Sequence, residues 1–305
     1  MRSLRILAGV AALAVWAAAC QKVMPVPRFS LSGNVKTLTL QQERLSYGNN
    51  LFWVNHMQPV ISPVSRPKSS GYFKAIPQGL AIDSLSGAIS IPQSLTGIRF
   101  KVFLLNPLGT PLDSTFVVIG GIDYADSIYD VDATPNVYDT AFAIYNANPA
   151  LALPCSDSDD DNQQACRFDE TDIDGDGDND VDGVSQEKLL VDEKRGFIDV
   201  EASFRAGIFG SNPVNGTTRD FKMYYRIADG SNRAINAIDL RVYYYKKRSD
   251  IPQYLLDELQ NRKRIGNRIR LEPSLQNNNR RINASVLTVD FEVYAKPKRP
   301  PLIII

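Results

Sequence analysis

Between Asp172 and Gly183 the chain reads Asp-Ile-Asp-Gly-Asp-Gly-Asp-Asn-Asp-Val-Asp-Gly, with a carboxylate at every second position: Asp172, Asp174, Asp176, Asp178, Asp180 and Asp182. Like charges at this density repel one another, and none can be buried without a counter-charge. A hard cation that collects six to eight oxygens removes the repulsion. Calcium suits flexible carboxylates best, whereas magnesium demands tighter octahedral geometry and gives up its waters reluctantly. The spacing therefore predicts calcium (Ca2+) binding by these six aspartates. The alternative is a solvated acidic linker that holds no ion.

Other chemistry finds little support. His56 is the only histidine, which removes most Ser-His-Asp, Cys-His and zinc-histidine schemes unless His56 itself is used. It sits in Val54-Asn55-His56-Met57, where a structural role at a strand end is expected. Paired carboxylates for glycoside hydrolysis are an alternative, but the dense aspartates are arranged for a metal rather than as an isolated pair with separated pKa values. No Gly-rich loop follows a strand and precedes a helix in the way a phosphate cradle requires. The chain is expected not to be an enzyme, and no catalytic residue is assigned.

The spacing Asp-x-Asp-Gly-Asp-Gly-x-x-Asp from Asp172 to Asp180 resembles thrombospondin type 3 repeats and, more loosely, dockerin and EF-hand loops. The resemblance implies side-chain oxygens from Asp172, Asp174 and Asp176 at the first, third and fifth positions, and a sharp turn at Gly177. It implies a backbone carbonyl from Asp178 at the seventh and a contribution from Asp180 at the ninth. The bidentate Glu that closes an EF-hand loop at its twelfth position is replaced by Gly183. A frame beginning at Asp176 would place Glu187 at that position but Val181 where the turn glycine belongs. Asp157, Asp159, Asp160 and Asp161 add enough carboxylates for a second ion.

The N-terminus predicts export. Arg2 and Arg5 precede an uncharged apolar run from Ile6 to Ala19. The run is shorter than the ~20 residues of a membrane span but has the length of a signal peptide. It ends Ala17-Ala18-Ala19-Cys20, which resembles a bacterial lipobox, with Ala17 where Leu is usual. That resemblance implies cleavage before Cys20 and acylation of its thiol. The alternative is an ordinary signal peptide with an incidental cysteine. In an exported chain Cys155 and Cys166 meet oxidising conditions, and a disulfide between them would close a short polar loop and contribute about 3 kcal/mol. A metal site is the poorer reading, since two thiolates with no nearby histidine are half a zinc site.

Charge is balanced overall, at +0, but unevenly placed. From Cys155 to Asp182 Arg167 is the one basic residue, whereas from Arg241 to Arg299 basic residues outnumber acidic ones. The basic half reads as a solvated surface that balances the acidic loop; binding to anionic glycans or nucleic acid is the alternative, and no nucleic-acid partner is assigned.

Short β-rich runs separated by Gly, Pro, Asn and Ser predict an all-β fold of two β-sandwich (Ig-like) domains, the second with an acidic calcium-loop insertion and one short helix. Val35, Thr37 and Thr39 alternate with Leu38 and Leu40; Leu51 to Val54 follows a turn; Phe100, Val102 and Leu104 alternate with Arg99, Lys101 and Phe103. The segment Gly79–Ser90 followed by Gly97–Val102 resembles part of the Ig-like and cadherin-like modules of bacterial surface proteins, which space or bind and do no chemistry. Its Leu80 and Ile82 lead into a turn at Asp83–Gly87, and Ile89 begins the return strand. Further strands are expected at Thr140–Tyr145, Phe197–Phe204, Phe221–Ile227, Leu240–Lys246 and Val286–Tyr294, and a helix at Pro252–Lys263. Tyr224-Tyr225 and Tyr243-Tyr244-Tyr245 lie on these strands, either as an aromatic core or as a stacking surface for sugars or a partner.

The expected organisation is a signal peptide at 1–19, a tether at 20–29, an Ig-like β-sandwich at 30–123, a second β-rich domain at 124–295 with the calcium loop at 155–188, and a Pro/basic-apolar tail at 296–305. The expected function is that of a structural or interaction protein of the cell envelope, lipid-anchored to the outer membrane or cell surface, with an envelope protein or glycan as partner. Alternatives are a glycan- or polymer-binding accessory protein and a hydrolase with an unrecognised carboxylate site. If the anchor is real, Cys20→Ala should release the mature chain into soluble fractions or leave its precursor unprocessed, because stable attachment takes more than one acyl chain. Fractionation that finds this variant processed normally and still membrane-bound would refute the anchor.

Overall fold

The computed structural model describes residues 43–55, 57–131, 139–155, 166–271 and 302–304, and their side chains outside 263–271 and 302–304. Cys20, His56, the alternating run at Val35–Leu40 and the expected strand Val286–Tyr294 lie outside the described residues. The fold is all-β: the described residues form strands in five sheets and one long helix. No described helix is long and apolar enough to cross a membrane.

The first sheet is built on a long hairpin. Strand β6 (Ile98–Leu105) pairs antiparallel with β7 (Pro111–Ile119), Phe100 opposite Val117. The Asn106 side chain sets the turn between them by accepting from the Leu108 and Thr110 amides at 3.0 and 2.8 Å. Strand β3 (Tyr72–Ile76) adds antiparallel to β6, and β1 (Leu51–Phe52) adds parallel to β7. A small antiparallel sheet of β2 (Val60–Ile61), β5 (Ile89–Ser90) and β4 (Ala81–Ile82) contains the expected turn, with Ile82 opposite Ile89. There the Asp83 carboxylate accepts from the Leu85 and Ser86 amides and the Ser86 hydroxyl. Phe100, Val102 and Leu104 meet Phe73, Ile89, Ile91, Val117 and Ile119 in one core cluster. The alternation in β6 suggests one wet face, yet Lys101, Phe103 and Leu105 are buried as well. Lys101 is accommodated because its ammonium lies 5.4 Å from the Phe103 and Phe116 ring centres.

The larger core surrounds a second hairpin, β14 (Thr218–Arg226) with β15 (Asn236–Tyr243), paired in strict register from Thr218–Tyr243 to Tyr225–Asn236. Phe221, Met223 and Tyr225 share the inner face with Ile238, Leu240 and Val242. Strand β12 (Arg167–Phe168) adds antiparallel to β14; beyond β15 lie β16 (Leu302–Ile304) and β9 (Ser127–Ile128), both parallel. Two short antiparallel pairs complete the strands: β8 (Ile122–Tyr124) with β11 (Ala143–Tyr145), and β10 (Thr140–Ala141) with β13 (Ile198–Asp199).

Several segments depart from expectation: Thr140–Tyr145 breaks at Phe142 into β10 and β11, which belong to different sheets, and the strand expected at Leu240–Lys246 runs from Asn236 to Tyr243. Phe197–Phe204 does not continue as a strand: after β13 it becomes helix α1 (Val200–Arg205). Asp199 caps it, accepting from the Ala202 amide at 2.8 Å, and Glu201 pairs with Arg205 one turn on. Local capping therefore overrides the apolar alternation. Helix α2 (Gln253–Leu271) begins where Pro252 predicts but runs beyond Lys263. Leu255 and Leu259 are buried against Tyr243, Tyr245 and Ile251, whereas Tyr254 is 64 % exposed.

Residues from Gln42 onward form one compact unit that contains both cores. The cores meet at a chain of buried hydrogen bonds. The Ile122 amide donates to the Tyr225 hydroxyl at 3.1 Å, which leaves the phenolic proton for Thr96, also at 3.1 Å; the Thr96 hydroxyl then donates to the Asn236 amide oxygen at 3.2 Å. Beside them Trp53 is held between Gly120 and Gly230, where a Cβ on either would collide with the indole. Tyr225→Phe orphans the buried Ile122 amide, removes one of the two bonds of the Thr96 hydroxyl, and should cost about 1–3 kcal/mol. Urea unfolding should also show it to be non-additive with Thr96→Val, because the two share one bond.

Candidate metal centre

The acidic loop leaves the larger core and returns to it within a short span. On the outgoing side Cys166 and Phe168 are buried, and Phe168 stacks on Tyr225 with ring centres 6.1 Å apart. The Cys155 and Cys166 sulfurs lie at bonding distance, 2.09 Å, as the sequence predicts. On the returning side Val184 and Leu189 are buried in the same core. Apolar anchors thus hold both ends, while the aspartates from Asp174 to Asp182 between them stay in water.

Two ionised side chains close the base of the loop. Asp169 adopts a left-handed conformation, φ 56°, which turns its carboxylate across the loop. There it accepts from the Val184 and Ser185 amides at 2.5 and 2.9 Å. Arg226, the last residue of β14, is the second. Its Nε donates to Glu170 Oε2 at 3.2 Å, its Nη2 to the carbonyls of Asp172 and Ile173 at 3.0 and 2.8 Å, and its Nη1 to the Arg233 carbonyl at 3.2 Å. Glu170 is a carboxylate only 6 % exposed, made tolerable by this guanidinium and by the Thr171 and Asp172 amides at its other oxygen. The Thr171 carbonyl, accepting from the Asp180 and Val181 amides, draws the two limbs together.

Within the loop the aspartates take different roles. Asp172 accepts from the Gly175 and Gly177 amides at 2.6 and 3.0 Å; Gly177 at φ 100° occupies a conformation that side chains disfavour, as the turn requires. Asp174 and Asp176 each accept from the amide two residues ahead. One carboxylate oxygen from each of Asp172, Asp174 and Asp176 lies within 4.8 Å of the other two. Oxygens on opposite sides of a calcium ion stand about 5 Å apart, given bonds of about 2.3–2.6 Å, so these three can face a single ion. Asp180 turns one oxygen inward onto the Ile173 and Asp174 amides, at 2.8 and 3.3 Å. Asp178 and Asp182 are exposed and lie outside the close trio.

Neither Arg226, Glu170 nor Asp169 is marked by the motif. A cation that ends an outward strand position is the only sequence signal, and its partners in the loop lie more than 50 residues away. The chain matches no protein-family model and no curated relative.

The tyrosines divide by strand face. Tyr225 is buried in the core, and burial pushes its hydroxyl well above the usual tyrosine range. Tyr243 and Tyr245 pack under α2, and Tyr244 stacks on Phe204 with centres 5.7 Å apart. Tyr224 is half-buried beside Lys222. On the same outer face Arg241 binds Asp220 through two bonds of 2.6 and 2.7 Å, which hold that carboxyl below its usual range. Aromatic packing of these rings therefore outweighs the stacking-surface reading.

Arg226→Met removes the nearer of Glu170's two counter-charges, leaving the more exposed Arg167 at 3.8 Å from its other oxygen, and should destabilise the protein by about 3 kcal/mol, as removing one partner of a buried pair does. Pairing the substitution with Glu170→Gln should recover part of that loss. Denaturation measures the energies, and limited proteolysis should show cleavage between Asp172 and Asp182 in the single variant.

Proposed function

We propose that this chain is an exported, lipid-anchored structural or interaction protein of the cell envelope whose acidic loop is ordered by calcium. The close trio of Asp172, Asp174 and Asp176 oxygens carries the metal reading. These oxygens belong to exposed or half-exposed residues on a loop whose base is already closed, so an ion relieves their repulsion without having to fold the core. The trio would hold the ion by side-chain oxygens, with backbone carbonyls and water completing its shell, and the ion would act as a staple rather than as a Lewis acid for turnover. The lipid anchor rests on the apolar leader and Cys20, and the extracytoplasmic setting on the leader and the Cys155–Cys166 pair. Covalent identification of neighbours on intact cells, from the anchored protein, tests the interaction role.

Calcium that binds the folded loop alone should raise stability by about 2.7 kcal/mol at a hundredfold excess over the dissociation constant. Chelator should lower the melting temperature and expose the loop to protease. Asp174→Ala and Asp176→Ala should reproduce the chelated state and ignore added calcium, with magnesium a weak substitute. Calorimetry without a heat of calcium binding, together with superimposable melting curves in chelator, would reduce the run to a solvated linker.

A further inference from the structure

Strand β16 fills a gap in the five-stranded sheet. Leu302, Ile303 and Ile304 pair with Arg241, Val242 and Tyr243 on one side, while Ile303 and Ile304 pair with Ser127 and Ile128 on the other. Among the described residues β9 has no strand neighbour except β16. Two ladder spacings of about 4.8 Å separate the walls, so the gap admits one extended chain.

Both walls are held by contacts that do not involve the strand between them. The β15 wall is paired along its length with β14. The β9 wall is pinned at three points: Ile128 packs on the Tyr243, Tyr245, Leu255 and Leu259 cluster, Tyr129 is buried in the main core, and Asp126 receives Arg262 Nη1 at 3.0 Å. When β16 leaves, the walls stay and expose two unpaired edges, the feature that recruits a strand from elsewhere. Its described pairing is a short ladder on each side, and residues 272–301 connect it to α2. That connection reaches at most about 100 Å, at about 3.3 Å per residue.

We infer that the gap between β15 and β9 is a strand-accepting slot, and that residues 302–304 of a second copy of this chain fill it when copies are crowded. Recognition is by backbone pairing in parallel register, with the apolar Leu-Ile-Ile run as the matching segment. The tethered strand competes at an effective concentration of the order of millimolar, so exchange between copies should begin near that protein concentration.

The register gives the test. A full-length chain with Ser127→Cys and Ile303→Cys should cross-link within itself under mild oxidation at about 10 µM. Full-length chains carrying one substitution each, mixed together, should give no mixed dimer at that concentration and a substantial fraction at about 1 mM. Excess synthetic peptide spanning residues 299–305 should suppress both products, while the same peptide with Ile303→Pro should suppress neither, since proline removes a ladder donor. Absence of the internal cross-link in a variant that unfolds like its parent would overturn the slot, and absence of mixed dimer at 1 mM would overturn the exchange. If the cysteine variants fold poorly, the unsubstituted full chain decides. Capture of the labelled 299–305 peptide and not of its proline form supports the slot, and capture of neither at millimolar peptide refutes it.

Discussion

A run of like charges whose two ends are both buried is the constraint on which the larger core depends. Phe168 and Val184 are each about as buried as any residue in the protein, yet the aspartates between them must remain solvated. The chain has to leave the core, turn, and re-enter within a short distance, and its backbone groups at the exit need partners inside the fold. Asp169, Arg226 and the Thr171 carbonyl supply them. The one cation among these is aimed at carbonyl oxygens and at the buried Glu170, not at the aspartate trio. The trio's charges are consequently left to solvent, while the base of the loop is held by hydrogen bonds to the fold.

Strand β14 connects that loop to the rest of the molecule because successive residues on a strand face opposite ways. Tyr225 points inward and bonds Thr96 and the Ile122 amide at the meeting of the two cores. Its neighbour Arg226 points outward and clamps the loop. Phe168, stacked on Tyr225, leads directly into Asp169 and Glu170. A change at the loop base is thus one residue removed from the contact that joins the cores, and the two cannot relax independently.

Some of this was legible from residue types alone. The β6 and β14 runs, the Asp83 turn, the α2 start at Pro252 and the Cys155–Cys166 pairing all follow from local rules: alternation, turn chemistry, proline geometry and two cysteines closely spaced across a polar segment. The segment after Phe197 was misleading because its apolar alternation satisfies a strand as well as a helix, and the Asp199 cap decides between them. Lys101 was equally opaque: a lysine on an alternating strand signals a wet face unless aromatic rings, here Phe103 of its own strand and Phe116 of the partner strand, are known to flank it.

The sequence by itself determined the all-β class and the density of carboxylates between Asp172 and Asp182, because both depend on spacing along the chain, and spacing is set by covalent connectivity. Only the tertiary structure decided which three aspartates converge, which one turns back onto its own loop, and that Glu170 and Arg226 hold the base. Those choices depend on side chains brought together from more than 50 residues apart. The energies of burial and charge pairing that select them exist only once the sheet has placed those residues in contact.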